Sequence, residues 1–143
     1  MGKTYQSIVI NAPVDKVWSV LRNFHDLSWT SGVATSCTAV GDLKSDQLGA
    51  RRVINNVFHE TLVELSDCDR TLKYRIDDGP SPISKDEVKN YIGIVHAIPI
   101  TDQDTTFVEW SSSWEQNEND ATVCEFCHGI YVALLGALKN HFS

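Results

Sequence analysis

The sequence predicts an α+β protein in which a strongly curved antiparallel sheet of seven strands closes around a long C-terminal helix. Three observations carry that expectation. Residues 105–115, TTFVEWSSSWE, alternate with the two-residue period of a strand, placing Val108, Trp110, Ser112 and Trp114 on one face and Phe107, Glu109, Ser111, Ser113 and Glu115 on the other. Short polar turns at Gly41-Asp42, Asp67-Cys68-Asp69 and Asp102-Gln103-Asp104 separate strand-like runs, as in an antiparallel meander. Near the end of the chain, Phe126, Ile130 and Leu134 recur at i, i+4 and i+8.

The elements follow in order. Residues 4–10 form a first short strand. Ala12-Pro13 opens a helix, with Pro13 at its first position, where the missing N–H costs nothing, and Val14, Val17, Trp18 and Leu21 make its apolar face. Residues 24–32 make a second short helix and a turn. Six strands are then expected near 33–40, 50–57, 59–65, 71–76, 89–98 and 105–116. The Gly-, Pro- and charge-rich stretch DDGPSPISKDEVK at 77–89 is the loosest segment and reads as a long connection between two strands. The final helix runs from about Asp120, a plausible N-cap, to about His141. A curved sheet must bury its concave face, and the terminal helix is the element available to cover it.

The face carrying Trp110, Ser112 and Trp114 is the most informative part of the chain. A close-packed sheet core favours Val, Ile and Leu, because an indole N–H needs a partner and a lone hydroxyl is costly to bury. Aromatic bulk with a polar handle is what lines a small-molecule cavity. Two core tryptophans on an amphipathic edge strand would give the same pattern, so both readings stand at this point.

Composition narrows the function classes. A net charge of −7 disfavours nucleic acid, which needs cations to displace counterions from phosphates, and an anionic membrane surface for the same reason. No apolar run is expected to span a bilayer, so no integral membrane contact is anticipated. The N-terminal MGKTYQSIVI lacks the charged and apolar regions of an export signal, and the expected location is cytoplasmic. Cys37, Cys68, Cys124 and Cys127 then read as reduced thiols. Cys124-Glu125-Phe126-Cys127-His128 formally matches the haem-attachment pattern C-x-x-C-H, but it falls on an amphipathic helix; no cofactor and no metal site are expected. His25, His59, His96 and His141 have no partner at metal-ligand or triad spacing. With 143 residues, one domain is expected, as a monomer or weak homodimer.

The segments INAPVDKVWSVLRNF (10–24), LGARRV (48–53), HETLVELSDCDRTLKYRI (59–76), NYIGIV (90–95), FVEWSSSWE (107–115) and GIYVALLGALKNHF (129–142) together resemble the START-like, Bet v 1-like superfamily. Within it they resemble the polyketide cyclase/dehydrase and lipid-transport type. The resemblance implies a helix-grip fold with an internal hydrophobic cavity. The segment order is also similar to that of plant abscisic-acid receptors, in which an Arg and a Glu on neighbouring strands point into the cavity; by position these fall on Arg52 and Glu60. The receptors' cavity tyrosine matches Tyr91, and an inward position before the last helix matches Trp110. Thr35 stands where the receptors carry a carboxylate-binding lysine, and their gate and latch sequences are missing, so hormone reception is not expected.

Strand alternation places Ile54 beside Arg52 and Leu62 beside Glu60. The expected cavity wall therefore comprises Thr35, Ile54, Leu62, Tyr91, Trp110, Ser112 and Trp114, with Phe126, Ile130 and Leu134 on the helix side. Arg52 and Glu60 are the candidate catalytic or ligand-orienting pair: a carboxylate as general base beside a guanidinium suits an aldol-type ring closure, and the same pair can instead be a structural ion pair. Binding or transport of a small hydrophobic or aromatic ligand is the first expectation, a cyclase or dehydratase the second, and an interaction module with a closed cavity the third.

Overall fold

In a computed structural model, which describes residues 1–143, the chain forms seven antiparallel strands in one sheet. Strand β1 (Gly2–Ile10) is followed by helix α1 (Val14–Leu21) and a 3-10 turn at Ser28–Thr30. Strands β2 (Cys37–Val40), β3 (Arg51–Ile54), β4 (Phe58–Ser66), β5 (Thr71–Asp78), β6 (Tyr91–Ile100) and β7 (Thr105–Trp114) follow, and helix α2 (Asp120–His141) ends the chain. Spatially the strands run β1-β7-β6-β5-β4-β3-β2: β2 to β7 form the expected meander, and β1 joins it beside β7. The first helix begins one residue later than expected, because Pro13 has an extended ψ of 148° and serves as the cap. The last helix is likewise capped by Asn119, leaving the Asp120 carboxylate free to accept from Trp114 Nε1 at 2.8 Å.

The hairpin from β3 to β4 turns on Asn55 and Asn56, both left-handed at φ 55° and 62°, and closes through Val57 N–H to Ile54 O at 3.1 Å. Asparagine tolerates that conformation better than most residues with a side chain. The Asn55 side chain has a second task. Its Oδ1 accepts from Thr35 N and Thr35 Oγ1 at 2.7 and 3.0 Å, and its Nδ2 donates to Val33 O at 3.2 Å, which pins the segment before β2 against the hairpin.

Helix α2 lies across the concave face, and its rotation corrects one expectation. The buried stripe is Val123, Cys127, Tyr131, Leu135 and Leu138, one residue out of phase with Phe126, Ile130 and Leu134, which are only half-buried. Helix α2 is apolar on several sides, so spacing alone leaves its rotation open. At 22 residues it is also long and apolar enough by composition to cross a bilayer, which corrects the expectation that no such run exists. Here its buried stripe belongs to the core.

Two glycines let aromatic rings lie flat across neighbouring strands. A Cβ on Gly93 would stand 2.2 Å from Tyr74 Cζ, and one on Gly2 would stand 2.0 Å from the Trp114 indole. Both are sites of close approach, and a side chain is excluded by packing.

Candidate functional site

Register builds the site. Arg52 on β3 pairs with Glu60 on β4, Glu60 with Ile76 on β5, and Ile76 with Tyr91 on β6, so four inward side chains form one row across the sheet. Above this row, facing α2, lies a cavity of about 130 Å³, lined mainly by apolar side chains. All four members of the row line it, as do Tyr74, Trp110, Cys127 and Tyr131. These last four are buried, whereas Val33, Ala34, Asn55, Phe58, Ile130 and Leu134 are half-exposed and form its outer rim.

At the inner end, Arg52 and Glu60 are buried, with side chains about 6% exposed. Arg52 Nε and Nη2 both donate to Glu60 Oε1, at 2.9 and 2.7 Å, and Nη1 donates to Phe24 O at 2.8 Å. The guanidinium carbon also sits 3.9 Å from the centre of the Phe24 ring. Charge-assisted bonds and an aromatic face are the compensation a buried arginine requires. Helix α1 supplies this support indirectly. Its Trp18 and the adjoining Arg22 donate to Asp67 at 2.8 and 2.9 Å, fixing the segment that leads to Phe24.

A chain of hydroxyls forms the second polar group. Tyr131 Oη on α2 lies 2.9 Å from Tyr74 Oη and 2.5 Å from Tyr91 Oη, and Trp110 Nε1 donates to Tyr74 Oη at 3.0 Å. Burial above all, reinforced by the neighbouring tyrosines, holds all three phenols well above their ordinary value of 10.0, so they are protonated at neutral pH. Burial also pushes the Cys127 thiol up to about 11, against an opposing contribution from the hydrogen bond with Tyr91. Cys127 is therefore a thiol rather than a thiolate nucleophile.

Of the residues expected in the cavity, Arg52, Ile54, Glu60, Tyr91, Trp110, Ile130 and Leu134 line it, and five do not. Thr35 is exposed and held by Asn55. Leu62 is buried in the core one row away, paired with Tyr74. Ser112 is turned toward β1, with its hydroxyl 2.7 Å from Thr4 Oγ1. Trp114 lies over Gly2 and stacks on Tyr91 with ring centres 5.6 Å apart, so it backs the wall without forming it. Phe126 packs against the core from the flank of α2.

Tyr74, Cys127, Tyr131 and Ile83 are site residues that the sequence reading missed. Signals for three of them are present: Tyr74 alternates with Leu72 and Ile76, and Cys127 and Tyr131 sit on the Val123–Leu135 spacing. Ile83 had no such signal. It comes from the segment expected to be loose, which is ordered by Asp78 Oδ1 accepting from Gly79 N and Lys85 N at 2.9 and 3.0 Å.

A curved antiparallel sheet gripping one long helix defines the helix-grip class. The sequence matches the family described as polyketide cyclase / dehydrase and lipid transport over residues 1–143, and the chain belongs to that family. A structural-genomics protein from Nitrosospira multiformis is 45% identical, with a TM-score of 0.94 over 99% of this chain and 96% of that one. Norcoclaurine synthase from Thalictrum flavum, solved with dopamine and hydroxybenzaldehyde, has a TM-score of 0.74 at 15% identity, covering 96% and 84% of the two chains. Ginseng major latex-like protein 151 has the same TM-score at 14% identity, covering 99% and 97%. These two neighbours share the fold expected from the sequence. No curated protein matches the chain.

Proposed function

We propose that the protein binds a small hydrophobic or aromatic molecule in the cavity between the sheet and α2. The observation that carries this reading is the pairing of an apolar void of about 130 Å³ with a buried ion pair and three buried phenols at its wall. Filling this space with apolar side chains would stabilise the fold more simply than an ion pair, since buried pairs seldom outperform hydrophobic packing. Size sharpens the ligand. A cavity of about 150 Å³ holds benzene, so this one suits a single ring; a fused-ring polyketide or a long acyl chain needs it to open. The four unbridged cysteines support a reducing, cytoplasmic setting, and the reading takes the protein as a monomer or weak homodimer.

Native mass spectrometry of the purified protein tests this directly. A retained or added small molecule, lost when Ile130→Trp fills the rim, is the expected result. Failure of every apolar probe to bind or to raise the melting temperature overturns it.

A second reading, a cyclase- or dehydratase-type enzyme, draws on one specific feature: Glu60 Oε2 accepts no hydrogen bond from the protein. As general base, Glu60 would remove a proton from carbon next to a ligand carbonyl, with Arg52 or a tyrosine O–H stabilising the enolate oxygen. Glu60→Gln separates the two. A carrier loses some affinity, whereas an enzyme loses turnover at unchanged affinity.

A further inference from the structure

Counting hydrogens at the cavity wall specifies what a ligand must bring. Tyr74, Tyr91 and Tyr131 own three O–H hydrogens but share two O···O contacts among themselves. The Trp110 N–H cannot accept, so it consumes a lone pair on Tyr74 and no hydrogen. One O–H has no acceptor within the chain, and the Cys127 sulfur beside Tyr91 takes it, so the phenols are satisfied by the protein. Arg52 has five N–H bonds, and three are used, two by Glu60 and one by Phe24 O. Glu60 Oε1 takes both of its bonds, leaving Oε2 without a donor on a side chain that is 6% exposed and lines the cavity. The wall thus offers spare donors on Arg52, and one charged acceptor at Glu60.

Charge limits the ligand further. Arg52 and Glu60 neutralise each other, so a ligand carboxylate would enter a buried, already balanced site with a like charge beside it. A neutral molecule meets no such cost.

We infer that the cavity selects a neutral single-ring molecule carrying a hydroxyl, which donates to Glu60 Oε2, and a carbonyl oxygen, which accepts from an unused Arg52 N–H. This rests on the binding function proposed above and adds its polarity and charge. The selection comes from unmet hydrogen-bonding groups: a site built for polar partners discriminates against an analogue that leaves them unpaired.

Titration calorimetry on the unmodified protein at pH 7 tests it with 3-hydroxyacetophenone, acetophenone, ethylbenzene, 3-hydroxybenzoate and dodecanoate. 3-Hydroxyacetophenone is expected to bind about tenfold or more tighter than ethylbenzene, with acetophenone between them, because a hydrogen bond to a charged group is worth roughly that factor. 3-Hydroxybenzoate is expected to bind weakest of the aromatic probes. In Glu60→Gln, whose amide oxygen still serves Arg52 and whose NH2 can only donate to the phenol oxygen, a neutral bond replaces the charge-assisted one, so the advantage of 3-hydroxyacetophenone over acetophenone should shrink at least severalfold. Equal binding of ethylbenzene, or tighter binding of 3-hydroxybenzoate, overturns the inference, and the wild-type comparison decides even if the variant does not fold. Binding of dodecanoate alone overturns the ligand class while leaving the cavity's binding function intact. Binding of none of the five removes both.

Discussion

Replacing Gly93 by alanine tests how the site is positioned. The new Cβ would lie 2.2, 2.4 and 2.5 Å from Tyr74 Cζ, Oη and Cε1. Carbon atoms rest about 3.5 Å apart, so the phenol must retreat by about 1 Å. It has little room: Tyr74 is 2% exposed, and its hydroxyl is held by Trp110 Nε1 at 3.0 Å and Tyr131 Oη at 2.9 Å. Overpacking of this kind costs about 1–3 kcal/mol. Two weakened hydrogen bonds add about 1 kcal/mol each. Opposing them, a Gly-to-Ala change in unstrained backbone stabilises by about 0.4–1 kcal/mol through the unfolded chain. The clash wins, for a net loss of roughly 2–4 kcal/mol. At about 3 °C per kcal/mol for a protein of this size, calorimetry should record a drop of roughly 6–12 °C in Tm. The control is Tyr74→Ala. In its background Gly93→Ala has nothing to strike, so the double variant should be more stable than the sum of the single changes predicts, by at least about 1 kcal/mol. A Gly93→Ala protein as stable as wild type, or strictly additive effects, would refute the reasoning.

Two further outcomes follow from the buried polar groups. Arg52→Met leaves the Glu60 carboxylate without its partner and should cost about 3–5 kcal/mol in urea unfolding, while Arg52→Met with Glu60→Leu should recover most of that loss; a single-variant cost under about 1 kcal/mol would contradict the burial of the pair. Alkali should destabilise the fold in a defined direction. Tyr74, Tyr91, Tyr131 and Cys127 have raised folded-state values, so on unfolding they ionise near their ordinary 10.0 and 9.0 while the folded protein keeps their protons. Their stability contribution is present below about pH 9 and is lost as pH rises, each group adding a slope of up to about 1.4 kcal/mol per pH unit. Urea melts at pH 8, 10 and 11 measure this, and an unchanged midpoint at pH 11 would show that the phenols already ionise in the folded state.

How far the site could be read in advance varied by residue. The inward face of Trp110 is legible because strand alternation is a local rule: Thr106, Val108, Trp110, Ser112 and Trp114 are all buried on one face. Which of them meets the cavity is not local. Trp114 was diverted by Gly2 and Tyr91, its neighbours from distant parts of the chain. The resemblance points Thr35 into the cavity, whereas the hairpin residue Asn55 holds it at the surface. Tyr131 is not legible in the sequence because α2 offers two apolar stripes of equal spacing, and only packing against β1 and the cavity selects between them.

The sequence by itself determined the element order, the inward face of each long strand and the family, because these depend on periodicity, turn chemistry and segment order along the chain. The tertiary structure alone decided the row Arg52–Glu60–Ile76–Tyr91, since strand register is a relation between segments, and β4 carries irregularities at His59/Glu60 and Leu62/Glu64 that shift it. It also decided the rotation of α2, and with it the meeting of three tyrosine hydroxyls from β5, β6 and α2. Hydrogen bonding across 40 to 57 residues of chain leaves no trace in local pattern, which is why the polar half of the cavity emerged only when the sheet closed on its helix.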